Sequence, residues 1–172
     1  AMHSTVGKPK TQILAQRLLD INPRLNIHIK QLYMDEVQTE ILLDEAKYDY
    51  VIDAIDTISP KIALLTGCLK RKIKVISSMG AGGRIDPTRI AYADISETYH
   101  CALAKAVRKR LKDAGISKGI KVVFSSEQPD RNAIIRTDEE RNKKSTVGTI
   151  SYLPAIFGCY LAAYVIRKLS QK

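Results

Sequence analysis

Apolar residues recur along this chain with two periods, one helical and one extended, and the two alternate. Ile13, Leu14, Leu18 and Ile21 return at helical spacing, with Pro9 at the first turn and Asn22-Pro23 as a stop, which predicts a helix starting at Lys10. Leu25, Ile27 and Ile29 then alternate with Asn26, His28 and Lys30, the pattern of a half-exposed strand. Val37, Ile41 and Leu42 mark a second helix, with Asp35 and Glu36 in the first turn, where the helix dipole favours acids. Tyr50-Val51-Ile52-Asp53-Ala54-Ile55 is a short apolar run, as in a strand buried on both faces of a parallel sheet. A third helix is predicted from Ser59-Pro60 to Lys72, and the next strand, Lys74 to Ser78, empties into Gly80-Ala81-Gly82-Gly83. Strand, helix, strand is a βαβ unit, so the fold class is α/β with a mainly parallel sheet.

Beyond the glycines the pattern predicts a strand over Arg89 to Ile95, a helix over Tyr99 to Lys112 and a strand at Val122-Val123-Phe124. Residues 128–145 are mostly polar or charged and contain a proline, and they read as a long, mobile loop. Thr149 to Ile166 carries no charge, and Arg167 and Lys168 end it, giving an apolar C-terminal helix over 149–169. Such a length can span a bilayer, but Ser151, Tyr152, Pro154, Gly158 and Tyr160 dilute it. A buried or dimer-interface helix is the first reading and peripheral membrane contact the second.

Composition narrows the classes. The 172 residues are 45% apolar and 27% charged, as in ordinary globular proteins, which excludes wholesale disorder. Lys and Arg outnumber Asp and Glu by 28 to 18, a net +10 that suits a polyanion such as tRNA or an anionic membrane. Cys68, Cys101 and Cys159 are an odd number without a CxxC pair, which predicts a reducing, cytoplasmic compartment. Cys68 and Cys159 read as packing residues. Cys101 does too, although His100 beside it and a nearby helix start are the setting in which a thiol is activated. The three histidines pair with no Cys or Glu at a ligand spacing, so no zinc site is expected.

Ligands of open α/β sheets bind beyond the carboxyl ends of the strands, where Asp53 and Asp56 stand. A carboxylate there either holds Mg²⁺ and so orients a triphosphate, or caps the following helix. Lys10, after a glycine-containing loop and at a helix start, is either placed for a β- or γ-phosphate or simply solvated, as most lysines are. Gly80 to Gly83 either lets a backbone approach a ligand or simply turns the chain. The 99–112 helix carries Lys105, Arg108, Lys109, Arg110 and Lys112, either a solvated face or a surface for phosphates.

Together, Thr5-Val6-Gly7-x-Pro9-Lys10, Ile21-Asn22-Pro23, Val51-Ile52-Asp53-Ala54-Ile55-Asp56 and Gly80-Ala81-Gly82-Gly83-x-Ile85-Asp86-Pro87 resemble the ThiF/HesA/MoeB group, relatives of the ubiquitin-activating enzymes. Within it the likeness is to the tRNA threonylcarbamoyladenosine dehydratases, and it covers essentially the whole chain. The resemblance implies an enzyme that adenylates a carboxylate with ATP and Mg²⁺. In the dehydratase branch this is the threonyl carboxylate of the modified adenosine in tRNA, whose ring closure expels AMP. It implies that Lys10 contacts the ATP phosphates and that Asp56 binds Mg²⁺. Asp53 joins them as a cofactor-binding candidate, and Lys105, Arg108, Lys109 and Lys112 are candidates for binding tRNA.

Two departures from the family pattern shape the expectation. The zinc-binding CxxC pairs of the ThiF and MoeB branches are absent, which favours the dehydratases. No G-x-G-x-x-G occurs, so the first βαβ unit with its nucleotide loop is missing, and residues 1–172 read as the C-terminal two-thirds of one Rossmann-like adenylating domain, inactive alone. The rival readings are an activator of a ubiquitin-like sulfur-carrier protein and a non-catalytic adaptor for protein or RNA. Expected partners are tRNA and a second copy of the chain, with a sulfur-transfer protein as a further candidate.

Overall fold

The computed structural model describes residues 2–140 and 143–171, which divide into two compact units, 1–34 and 35–172. In the first unit, Pro9 with its φ of −59° stands at the N-cap of helix α1, Lys10–Ile21, and Asn22 ends it in extended backbone. Ala15 is buried, whereas Leu14, Leu18 and Ile21 of the predicted apolar stripe are exposed. Residues 25–30 form no strand, contrary to the alternation of their side chains. A strand exists through its ladder, and among the described residues this segment has no ladder partner.

The second unit is built on a four-stranded sheet. Asp35 caps helix α2, Glu36–Asp44, by accepting the Gln38 N–H at 2.8 Å. Strand β1, Val51–Asp53, leads into helix α3, Ile58–Lys70, and strand β2, Val75–Ser78. Strand β3, Ile90–Asp94, precedes helix α4, Ala102–Asp113, and strand β4, Lys121–Ser125. The order is β1-β2-β4-β3, parallel except for β3, which runs antiparallel to β4. The mainly parallel α/β class is therefore the observed one.

Alternation along the strands divides the core between two layers. On one face Val75, Val122 and Phe124 pack with Leu64, Leu65 and Cys68 of α3 and with Val107 and Leu111 of α4. On the other, Ile76 and Val123 meet Leu153, Phe157, Leu161 and Val165 of helix α5, Tyr152–Ser170. That fourfold repeat makes α5 a one-sided helix lying on the sheet. No helix among the described residues is long and apolar enough to cross a membrane. Cys159 is exposed on the outer side of α5, so it is not the packing residue expected. β1 also departs from expectation: it is an edge strand of three residues, and Ile52 is 45% exposed rather than buried.

Of the expected loop at 128–145, residues 141–142 lie outside the described residues, and the remainder is not structureless. Strands β5, Ile134–Glu140, and β6, Lys143–Val147, pair antiparallel as a hairpin, Ile134 opposite Val147. Its base is tied to the glycine turn, where Gly83 N–H donates to the Gly148 carbonyl at 2.8 Å and the Asp130 N–H to the Gly83 carbonyl at 2.7 Å.

Candidate active site

The carboxyl ends of β1, β2 and β4 open onto three turns, at 54–57, 79–84 and 126–130, and the acid that ends β1 and the acid in the turn after it have opposite fates. Asp53 is completely buried. Its Oδ2 accepts from Lys61 Nζ at 2.5 Å and from Ser77 Oγ at 2.6 Å, and its Oδ1 accepts the Ile55 N–H at 2.9 Å. The three donors come from the turn, from α3 and from β2, so the Asp53 carboxylate is engaged inside the protein, beneath the turn. Asp56 is exposed at the end of the same turn, with Thr57 Oγ1 donating to it at 3.4 Å. It does not cap α3, whose N-cap is Thr57.

Lys61, one turn into α3, is completely buried, although lysine is among the residues least often found so. Its ammonium donates to Asp53 and also to the Ile55 carbonyl at 2.7 Å. Burial drives it below the ordinary lysine pKa, opposed chiefly by the charge and hydrogen bond of Asp53 and then by the charge of Asp56. Sequence reasoning passed over this lysine, whose one signal was an acid eight residues earlier, across a strand-turn-helix.

The glycine turn is organised by another buried cation. Arg84, 4% exposed, donates to the carbonyls of Gly80 at 2.9 Å, Gly82 at 3.1 Å and Glu127 at 3.0 Å, and to the carbonyl of His100. The Glu127 carboxylate in turn accepts the N–H groups of Ile85 at 3.1 Å and Asp86 at 2.9 Å. One guanidinium thus locks the ends of β2 and β4 to the entry of α4. Cys101 caps α4, its Sγ accepting the Ala104 N–H at 3.4 Å, and lies buried against Gly80. Cys68 is buried inside α3, and desolvation pushes its thiol up to about 11, which keeps it unreactive.

Lys10 is exposed as the first residue of α1 and belongs to the first unit, whereas Asp56 belongs to the second. On α4, Lys105, Lys109 and Lys112 are exposed at positions i, i+4 and i+7, one face of the helix. Arg108 is not part of that free surface. Its Nη1 donates to the Thr98 carbonyl at 2.8 Å and to the Thr98 hydroxyl, pinning the turn before α4.

Among the described residues no group of three or more His, Cys, Asp or Glu side chains could hold a metal. The exposed Asp56 carboxylate nevertheless fits Mg²⁺, which keeps several waters and takes one or two carboxylates together with substrate phosphates.

A mainly parallel sheet between helices, with an acid-bearing turn beyond its carboxyl edge, is of the Rossmann-like class. The chain belongs to the ThiF family, whose model matches residues 1–172. It is 40% identical to the tRNA threonylcarbamoyladenosine dehydratase of Bacillus subtilis, over 98% of this chain and 69% of that protein. It is 32% identical to tRNA threonylcarbamoyladenosine dehydratase 2 of Saccharomyces cerevisiae, covering the whole chain and 42% of the yeast protein. The crystal structure of the Escherichia coli tRNA N6-threonylcarbamoyladenosine dehydratase in complex with ATP superposes with a TM-score of 0.87 at 30% identity, covering 99% of this chain and 68% of that one.

Proposed function

We propose that this chain is the greater part of an ATP-dependent tRNA threonylcarbamoyladenosine dehydratase. The observation that carries the reading is the likeness to the Bacillus subtilis enzyme along nearly the whole chain, together with the match to the ATP-bound Escherichia coli structure. The site is consistent with it, because the exposed Asp56 stands on the edge where such sheets bind ligands.

In this reading ATP is the substrate whose adenylyl group passes to the threonyl carboxylate as pyrophosphate leaves, and a bound Mg²⁺ would supply charge neutralisation at the phosphates. Asp56 holds the metal. Lys10 places a point charge on the phosphates. Asp53 has the internal role described above. The tRNA backbone runs along Lys105, Lys109 and Lys112. A second copy of the chain is the proposed protein partner, docking on the outer side of α5 where Cys159 and Ile166 are exposed.

The test uses the full-length protein with Lys10→Ala and Asp56→Ala, measuring ATP–pyrophosphate exchange and, by mass spectrometry, the cyclised nucleoside in tRNA. Loss of an electrostatic stabiliser is expected to lower both rates by about two orders of magnitude. Near-normal rates in both variants would refute the assignment.

A further inference from the structure

The buried Lys61 has no part in the chemistry just described, yet its ammonium is engaged directly beneath the turn that carries Asp56. Its ammonium lies between two acceptors of one turn, Asp53 Oδ2 at 2.5 Å and the Ile55 carbonyl at 2.7 Å. Ser77 holds the same Asp53 oxygen from β2 at 2.6 Å, and Asp53 Oδ1 closes the turn on the Ile55 N–H at 2.9 Å. The three residues that lead up to Asp56 are thereby fastened to both α3 and β2. A buried ion pair is weak evidence for stability, since apolar replacements of similar volume often do as well. What this pair supplies is a fixed turn under an exposed carboxylate.

We infer that Lys61, acting through Asp53 and the Ile55 carbonyl, is a positioning residue that sets the Asp56 carboxylate for a nucleotide-bound divalent cation. The inference rests on the reading of Asp56 as the metal-holding group. Side chains that orient a metal ligand without touching the metal usually change its affinity by about 10- to 100-fold when removed. A lysine serving only the fold would leave that affinity alone in any variant that folds.

The test uses the full-length protein with Lys61→Met, the double variant Asp53→Asn/Lys61→Met and Asp56→Ala. The double variant leaves no unpaired buried charge, so it is the one expected to keep its melting temperature. Mn²⁺ binding in the presence of a non-hydrolysable ATP analogue is followed by electron paramagnetic resonance, and exchange of the Ile55 amide proton by NMR. The folded double variant should bind Mn²⁺ about 10-fold or more weakly, with faster exchange at Ile55 and unchanged affinity for tRNA. Wild-type Mn²⁺ affinity in the double variant, while Asp56→Ala weakens it, would overturn the role of Lys61 alone. Wild-type affinity in Asp56→Ala would instead remove the reading of Asp56, and the inference with it. If both Lys61 variants fail to fold, the pair is a folding element and the inference is wrong.

Discussion

Gly83 has a φ of +71°, in the left-handed region that residues with a Cβ avoid. A Cβ built there would lie 3.1 Å from Pro129 Cβ and 3.2 Å from the Asp130 carbonyl oxygen. Gly83→Ala therefore meets both a dihedral penalty, about 1–2 kcal/mol, and backbone that cannot easily retreat. We expect it to destabilise the full-length protein by at least that amount in urea unfolding; a midpoint shift within error would mean that the turn relaxes freely. The glycine run was legible as a turn, but not its purpose of letting the 129–130 loop and the hairpin base come close. The Asp53–Lys61–Ser77 cluster was less legible still. Its bonds join residues 8 and 24 positions apart, and nothing local distinguishes the buried Asp53 from the exposed Asp56. A sequence states which groups can ionise, whereas burial decides which of them face solvent.

Secondary elements were read best where one face meets a core and worst where a partner strand decides. α3, α4 and β2, all packed into the core, formed near their expected bounds. The 25–30 segment has the alternation without a ladder, and the 134–147 hairpin has a ladder without the apolar signal that would announce it. Between elements, Arg71 at the end of α3 clasps α2. Its Nε and Nη2 each bond an oxygen of Asp44 at 2.8 Å, and Nη2 bonds Glu40 at 2.7 Å. The Arg71 hydrogen bonds hold both carboxyl groups below their ordinary values, against a smaller opposing effect of desolvation. A carboxyl with a depressed folded pKa stabilises above its unfolded pKa of about 4 and loses that contribution as pH falls through the lower, folded value. Arg71→Met should thus lower the melting temperature more at pH 7 than in acid, once the pH has fallen through the lowered folded values and the carboxylates are protonated. High salt should shrink the neutral-pH difference, because these charges are partly exposed to solvent. A gap between the two melting curves that does not change with pH would show that Arg71 acts through its aliphatic stem alone.

At the scale of the whole molecule the governing quantity is the +10 charge, which makes attraction to a polyanion the default and a particular surface for it the question. The sequence pointed to the 99–112 helix but could not sort its cations. Folding does so, committing Arg108 to the Thr98 carbonyl and leaving Lys105, Lys109 and Lys112 on one exposed face. A solvated face would also look like this, so the distinction has to come from salt. Each lysine that neutralises a phosphate releases a condensed counterion, contributing about one unit to the slope of log K against log salt. Lys105→Glu/Lys109→Glu/Lys112→Glu in the full-length protein should therefore weaken tRNA binding and flatten that slope by up to about three units. None of the three contributes to the core around α4, so the melting temperature should hold. ATP–pyrophosphate exchange without tRNA should be unchanged as well, because these side chains stand on the helix and not on the turns beyond the strand ends. Titration of tRNA at several salt concentrations decides the matter. An unaltered affinity and slope would assign this face of α4 to solvent or to a protein partner and move the tRNA surface elsewhere on the molecule.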